Sequence, residues 1–131
     1  MLDVLSDAVP YSDILKGSVV AMDGFTGFTP VQNRLIGELF SVCEKVMITV
    51  TMDGRENPYV YEHPYQIFAL GKQMVTSLMK IAGEKKTEIE EPICLFERPV
   101  YRFRDCSEMA FLETELFRYS GAKYNGCLLY T

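Results

Sequence analysis

The sequence predicts an α/β fold, in which a short and mostly parallel sheet is flanked by helices. Three features support this class. Val19–Met22 is an apolar run of the kind that a strand covered on both faces requires. A helix with a clear start signal follows at Thr29, and Val46–Met52 is predicted to form a second strand. A strand, a helix and another strand in this order are typical of a parallel pair.

The turn between the first strand and the helix places one carboxylate where α/β proteins bind ligands. Gly24 and Gly27 allow a sharp turn, so Asp23 is expected at the carboxyl tip of the strand. The segment Thr29–Gln32 begins with an N-cap threonine, continues with a first-turn proline and ends with the glutamine of a capping box. The helix that starts here has apolar residues at helical spacing: Val31, Leu35, Ile36, Leu39, Phe40 and Cys43.

The rest of the chain contains further helices and extended segments. One or two short helical turns are predicted before Gly17, and a longer helix is predicted from Pro64 to Ala82, ended by residues 83–86. Residues 87–95 could form an edge strand, and Val100–Arg104 alternates apolar and basic side chains with a strand's period of two. A last helix is predicted from Cys106, capped by Ser107 and Glu108. The expected inner faces are Ile67, Leu70, Met74, Leu78 and Ile81 in the long helix and Met109, Leu112, Leu116 and Phe117 in the last one.

Length and charge limit the function. The 131 residues, 48% of them hydrophobic, suffice for one packed core, and we expect a single partial domain over residues 1–131 with its core at about 15–120. Thirteen basic against 18 acidic side chains give a net charge of −5, which argues against a free-standing nucleic-acid binder.

The cysteines and the single histidine give no metal motif. No Cys-x-x-Cys pair is present, and His63 has no close cysteine neighbour, so we predict no metal site. Reduced thiols are favoured over disulfides because Cys43 lies on the apolar face of a predicted helix, and a cytoplasmic location follows. No apolar run approaches the roughly 20 residues that span a bilayer, so no membrane contact is expected. The four cysteines are Cys43, Cys94, Cys106 and Cys127.

The strand-to-helix turn resembles motif II of superfamily 1 helicases. In that motif the strand ends in Asp-Glu, an aromatic residue and Gln-Asp, and a glutamine follows several residues later. Asp23, Phe25 and Gln32 match this pattern, whereas Gly24 replaces the glutamate and Thr26 the first glutamine. In working ATPases the aspartate helps to hold Mg²⁺ and the glutamate activates the attacking water. The resemblance therefore implies a degenerate motif without a catalytic residue.

The altered motif is similar to that of the AddB subunit of the bacterial AddAB helicase-nuclease. Three further elements resemble that family in the same order: Val46–Asp53, His63–Phe68 with the helix after it, and Leu112–Tyr119. The resemblance implies a three-layer fragment like the P-loop helicases. It also implies a part of an ATP-dependent helicase and exonuclease that processes double-strand breaks for recombinational repair.

The resemblance also assigns partners and cofactors. An AddA-like helicase subunit would hydrolyse ATP with Mg²⁺, and DNA would bind the complex. This subunit would act as a scaffold or DNA-handling element. The chain contains no Gly-x-x-x-x-Gly-Lys-Ser/Thr loop, so no cofactor is expected in this fragment.

Several alternatives remain open from the residues alone. Asp23 could be a remnant of a Mg²⁺ site, but the missing phosphate loop favours a turn-holding role. Phe25 and Phe28 could stack on a base or pack beside the helix start, which is the commoner arrangement. His63 is interpreted as a loop histidine and not as a general base. As a whole, the chain could instead belong to an active nucleotide hydrolase or be a non-enzymatic α/β interaction module.

The only basic cluster is a candidate DNA contact. Arg98, Arg102 and Arg104 lie within seven residues, and Tyr101 and Phe103 are interleaved with them. Cations for phosphates and rings for bases are typical of single-strand contacts. The alternative, which we favour, is an amphipathic edge strand with a solvated basic face.

Overall fold

A computed structural model of the chain describes residues 1–96, 101–118 and 120–126. The chain divides into two compact units, Met1–Pro92 and Ile93–Thr131. In the described residues no helix is both long and apolar enough to cross a membrane.

The first unit contains three helices and two strands. Helix α1 (Leu2–Ala8) runs into a 3₁₀ turn (Val9–Tyr11) and is followed by β1 (Val19–Met22), α2 (Pro30–Val42), β2 (Lys45–Ile48) and α3 (Ala69–Lys85). The predicted short turns before Gly17 and the first strand are confirmed.

The two strands pair in parallel, with Val19 opposite Lys45 and Met22 opposite Ile48. Helix α2 connects them, so the α/β class with a short parallel sheet and flanking helices is confirmed. The second strand is shorter than the predicted Val46–Met52. The reason lies in the partner strand: the Thr49 N–H donates to the Met22 carbonyl over 3.0 Å, after which the chain of β1 turns away at Gly24 and pairing ends.

Helix α2 begins as predicted. The Thr29 N–H donates to Gln32 Oε1 over 2.8 Å, and the Gln32 N–H donates to Thr29 Oγ1 over 3.4 Å, which completes the capping box. The helix buries Ile36 and Leu39. It packs against α1, the 3₁₀ turn and α3, and the core formed there consists of Val9, Ile36, Leu39, Ala69, Met74 and Ala82.

Helix α3 differs from the predicted Pro64–Ala82 at both ends. Residues 64–68 form turns closed by the Gln66 N–H to His63 and the Ala69 N–H to Gln66, so the helix starts five residues late. It passes through Gly83 and ends where Lys86 adopts a left-handed conformation (φ 56°). Of the predicted inner face, Met74 is buried, but Ile67 and Leu70 are more than half exposed.

Three predictions for the chain after α3 are corrected. The described residues 87–96 form no strand. Val100 lies outside the described residues, and Tyr101–Phe103 is a 3₁₀ turn, not extended chain, so the edge-strand interpretation is wrong for the described part of Val100–Arg104. Helix α4 (Ser107–Glu115) has Cys106 as its N-cap without a side-chain cap hydrogen bond, and the Ser107 hydroxyl pairs with that of Tyr124 at 2.6 Å. All four residues of its predicted inner face are exposed: Met109, Leu112, Leu116 and Phe117.

Candidate functional site

Asp23 lies directly after β1, at the carboxyl end of the sheet, and its side chain is exposed. Its Oδ1 accepts a hydrogen bond from the hydroxyl of Thr49, the residue that follows β2. The carboxylate thus joins the ends of the two strands. A single carboxylate with a hydroxyl donor can fix this edge of the sheet.

The backbone at Gly24 favours glycine. Its φ is +78°, in the region that L-residues rarely adopt, although a Cβ there would meet no atom within 4 Å. A glutamate at this position would therefore have room for its side chain but a strained backbone. The positive φ thus accounts for a glycine at this position.

Phe25 and Phe28 form a pair on this turn. Their ring centroids are 5.1 Å apart with an interplanar angle of 36°. Phe25 keeps 40% of its surface exposed, so one ring is packed against its neighbour and still reaches solvent. Thr26 is exposed between them. Gln32, the last residue matched to motif II, uses its side-chain oxygen in the capping box.

The basic cluster lies in the second unit, and Arg98 lies outside the described residues. Tyr101, Arg102 and Arg104 are exposed in or beside the 3₁₀ turn. The guanidinium carbon of Arg104 lies 4.5 Å from the centroid of the Tyr101 ring, and that of Arg102 lies 5.8 Å from the Phe103 ring. The turn folds both arginines onto aromatic rings of the same segment.

His63 lies in the turn-rich segment before α3 and is exposed. Its ring stacks on that of Tyr65, with centroids 5.0 Å apart and an angle of 8°. This arrangement is that of a loop histidine. Among the described residues, no group of three or more histidine, cysteine, aspartate or glutamate side chains is placed to hold a metal ion.

A buried charge pair escaped the sequence analysis. Lys72, in the first turns of α3, has only 5% of its side chain exposed, and its Nζ lies 2.7 Å from Glu56 Oε2. Asp53, also buried, accepts hydrogen bonds from the Arg55 backbone N–H at 3.0 Å and Nε at 3.2 Å. The Lys72–Glu56 pair attaches the loop after β2 to α3, and the Asp53–Arg55 contacts hold the loop's own turn. The sequence of the loop signals a turn, but nothing local marks Lys72 as buried.

The Glu108 carboxyl group, at the start of α4, has a lowered pKa. The pKa of its carboxyl is lowered from 4.5, first by the N–H of its own backbone at the start of α4 and then by the Cys106 thiol, which lies 3.5 Å away. Both interactions stabilise the charged form. The charged carboxylate helps the helix to begin.

Comparisons with known proteins place the chain in a family. A family model described as "ADDB, N-terminal" matches residues 1–113. The ATP-dependent helicase/deoxyribonuclease of Clostridium acetobutylicum has an AddB subunit that is 35% identical over 122 residues, which make up 90% of this chain and 10% of the relative. The same subunit from Lachnoclostridium phytofermentans and from Thermoanaerobacter sp. is 36% identical in each case, over 91% and 90% of this chain and 10% of the relative's own length.

The chain thus spans about a tenth of the length of these relatives. The family match covers the strand-to-helix turn, the loop after β2 and nearly all of α4. On this agreement over most of its length, the chain belongs to the AddB family, in the region that the family model describes as amino-terminal.

Proposed function

We propose that the chain is part of an AddB-like subunit and serves there as a scaffold and DNA-handling element, not as a nucleotide hydrolase. The observation that carries this proposal is the turn at Asp23. The Asp23 carboxylate accepts a hydrogen bond from the Thr49 hydroxyl. Gly24, at the position that motif II fills with glutamate, has a positive φ. The name of the relatives supports the assignment to an ATP-dependent helicase and deoxyribonuclease.

The longer protein would complete the fold as a three-layer, P-loop-helicase-like domain. Both strands alternate half-buried and exposed residues, so the sheet has one covered face. On the other face Val19 is 56% and Met47 is 45% exposed. Strands that are apolar on both faces are typical of parallel sheets covered by helices on both sides. A second helical layer from the remainder of the protein would cover this face.

Nucleotide chemistry would belong to the partner. We assign ATP and Mg²⁺ to an AddA-like helicase subunit, since the donors around Asp23 suit a Mg²⁺ site poorly: one carboxylate oxygen already accepts the Thr49 hydroxyl, and the next residue in the chain is Gly24, not an acid. The assembly would act in the cytoplasm on DNA ends during double-strand-break repair and recombination.

Two surfaces of the chain would touch DNA in this assembly. The exposed ring of Phe25 at the carboxyl end of the sheet suits stacking on a base, and Tyr101, Arg102 and Arg104 offer rings and cations. The acidic chain as a whole would bind DNA only as part of the complex.

Reconstitution tests the proposal. The full-length protein, its genomic neighbour and the mixture of both are assayed for ATP-dependent degradation of linear duplex DNA. We expect degradation only in the mixture, together with a stable complex of the two chains on gel filtration. Degradation by the full-length protein alone, or no association with the neighbour, would overturn the proposal.

A further inference from the structure

A groove of about 500 Å³ lies between the loop after β2 and one face of α3. The loop contributes Tyr59 and Tyr61, which are 41% and 39% exposed. Helix α3 contributes residues three and four positions apart, which therefore share one face. The lining of the groove includes Tyr59, Tyr61, Gln73, Thr76, Ser77 and Lys80.

The loop is held in place at its base. The Asn57 side chain accepts the Tyr59 N–H over 2.9 Å, which fixes the turn that presents the two rings. Directly before the first groove residue of α3, the Lys72 ammonium pairs with Glu56 at 2.7 Å. These contacts hold the backbone of the loop beside α3, which lowers the entropic cost of ordering the loop on binding.

The floor of the groove offers fixed acceptors and one cation. The Thr76 and Ser77 hydroxyls donate to the Lys72 and Gln73 carbonyls, so their oxygens remain available to accept. Lys80 is 79% exposed, with Glu84 at 4.0 Å as its ion-pair partner. Among the groove residues it is the only side chain with a full charge at neutral pH.

We infer that this groove binds one nucleotide of single-stranded DNA, with its base against Tyr59 and Tyr61 and its phosphate at Lys80. The inference rests on the proposed function, which brings single strands to this subunit. Rings suit a planar base, the hydroxyl oxygens suit its N–H groups, and the lone cation suits a phosphate. The volume lies within the range of about 300–1,000 Å³ typical of sites for small ligands.

The inference is tested on the full-length protein bound to its neighbour. A fluorescent single-stranded thymidine oligonucleotide is titrated by anisotropy at several salt concentrations. For the double variant Tyr59→Leu with Tyr61→Leu we expect a loss of affinity of about 5- to 100-fold, the range for base–aromatic stacking. The matched control is Tyr65→Leu, since Tyr65 is 80% exposed and lies outside the groove; its affinity should stay within twofold.

Lys80→Met provides a second variant that does not risk the fold, because its side chain is largely exposed. It should reduce the slope of log affinity against log salt by about 0.7, the value for one phosphate contact on a single strand. Lys16→Met is the control, as Lys16 is also exposed and distant in sequence from the groove; it should leave the slope unchanged.

The outcomes separate the inference from the proposed function. Unchanged affinity and slope in the groove variants, with DNA binding by the complex intact, would overturn the groove alone. Weaker association with the neighbour and unchanged DNA affinity would identify the groove as a protein interface and would also overturn the inference. If the complex bound no DNA at all, the proposed function itself would fail.

Discussion

Replacement of Gly24 by alanine tests the backbone of the turn that follows β1. At a φ of +78°, an L-residue costs about 1–2 kcal/mol, whereas a Cβ gains about 0.4–1 kcal/mol by restricting the unfolded chain. Since no atom lies within 4 Å of the new Cβ, sterics add nothing. We therefore expect Gly24→Ala to lower the free energy of unfolding by about 1 kcal/mol.

Gly83→Ala is the matched control, because the substitution is the same but the expected change in the free energy of unfolding has the opposite sign. Gly83 lies inside α3, its Cβ would also meet open space, and alanine favours a helix over glycine by about 0.5–1 kcal/mol. Gly24→Asn should lose less stability than Gly24→Ala, since asparagine tolerates positive φ. Gly24→Glu should be destabilised like the alanine variant, and no ATPase activity should appear in the longer protein.

The assay is urea unfolding followed by circular dichroism at 222 nm. With an m-value of about 2 kcal/mol per molar urea, the midpoint should fall by roughly 0.5 M for Gly24→Ala and rise by a similar amount or less for Gly83→Ala. If Gly24→Ala were as stable as the unchanged chain, the positive φ and the argument from it would be refuted.

Three other changes have defined outcomes. Thr29→Ala should cost about 1 kcal/mol of unfolding free energy by removing the capping box, whereas Thr26→Ala, at an exposed position, should change it by less than about 0.5 kcal/mol in the same urea assay. Lys72→Met should cost roughly 2 kcal/mol, below the usual value for a buried pair because Glu56 keeps 33% exposure, and Lys80→Met should be nearly neutral by calorimetry. The lowered pKa of Glu108 should stabilise α4 above about pH 4.5 and lose that effect as the pH falls through the folded pKa; Glu108→Gln should remove this part of the acid dependence seen by circular dichroism. If Thr26→Ala lost as much stability as Thr29→Ala, or Lys80→Met as much as Lys72→Met, the argument for that pair would be contradicted. An unchanged acid dependence in Glu108→Gln would contradict the argument from the pKa of Glu108.

The sequence predicted the elements whose causes are local. The capping box at Thr29 depends on four consecutive residues, and both of its hydrogen bonds are present. The length of β2 could not be predicted in this way, because the strand ends where its partner β1 turns at Gly24. The predicted start of α3 was also wrong. Pro64 suits a first helical turn, but the chain forms separate turns up to Phe68.

The candidate site was predicted only in part, because some of its contacts join residues that are distant in sequence. Asp23 was expected at the tip of the first strand and lies there, but its contact with Thr49 requires the register of the two strands. The alternation around Arg102 was too short to distinguish a strand from a 3₁₀ turn. The burial of Lys72 depends on Glu56, a loop residue 16 positions away, so the sequence around Lys72 shows no periodic pattern that would predict it.

The central claim is that the turn at Asp23 no longer takes part in ATP hydrolysis. The most direct test is the ATP turnover of the full-length complex with Asp23→Ala in this subunit, beside an alanine variant of the corresponding motif II aspartate in the partner subunit. We expect turnover within twofold of the unchanged complex for Asp23→Ala and its near-complete loss for the partner variant. Loss of ATP turnover with Asp23→Ala in a complex that still assembles would contradict the account and show that Asp23 takes part in ATP hydrolysis.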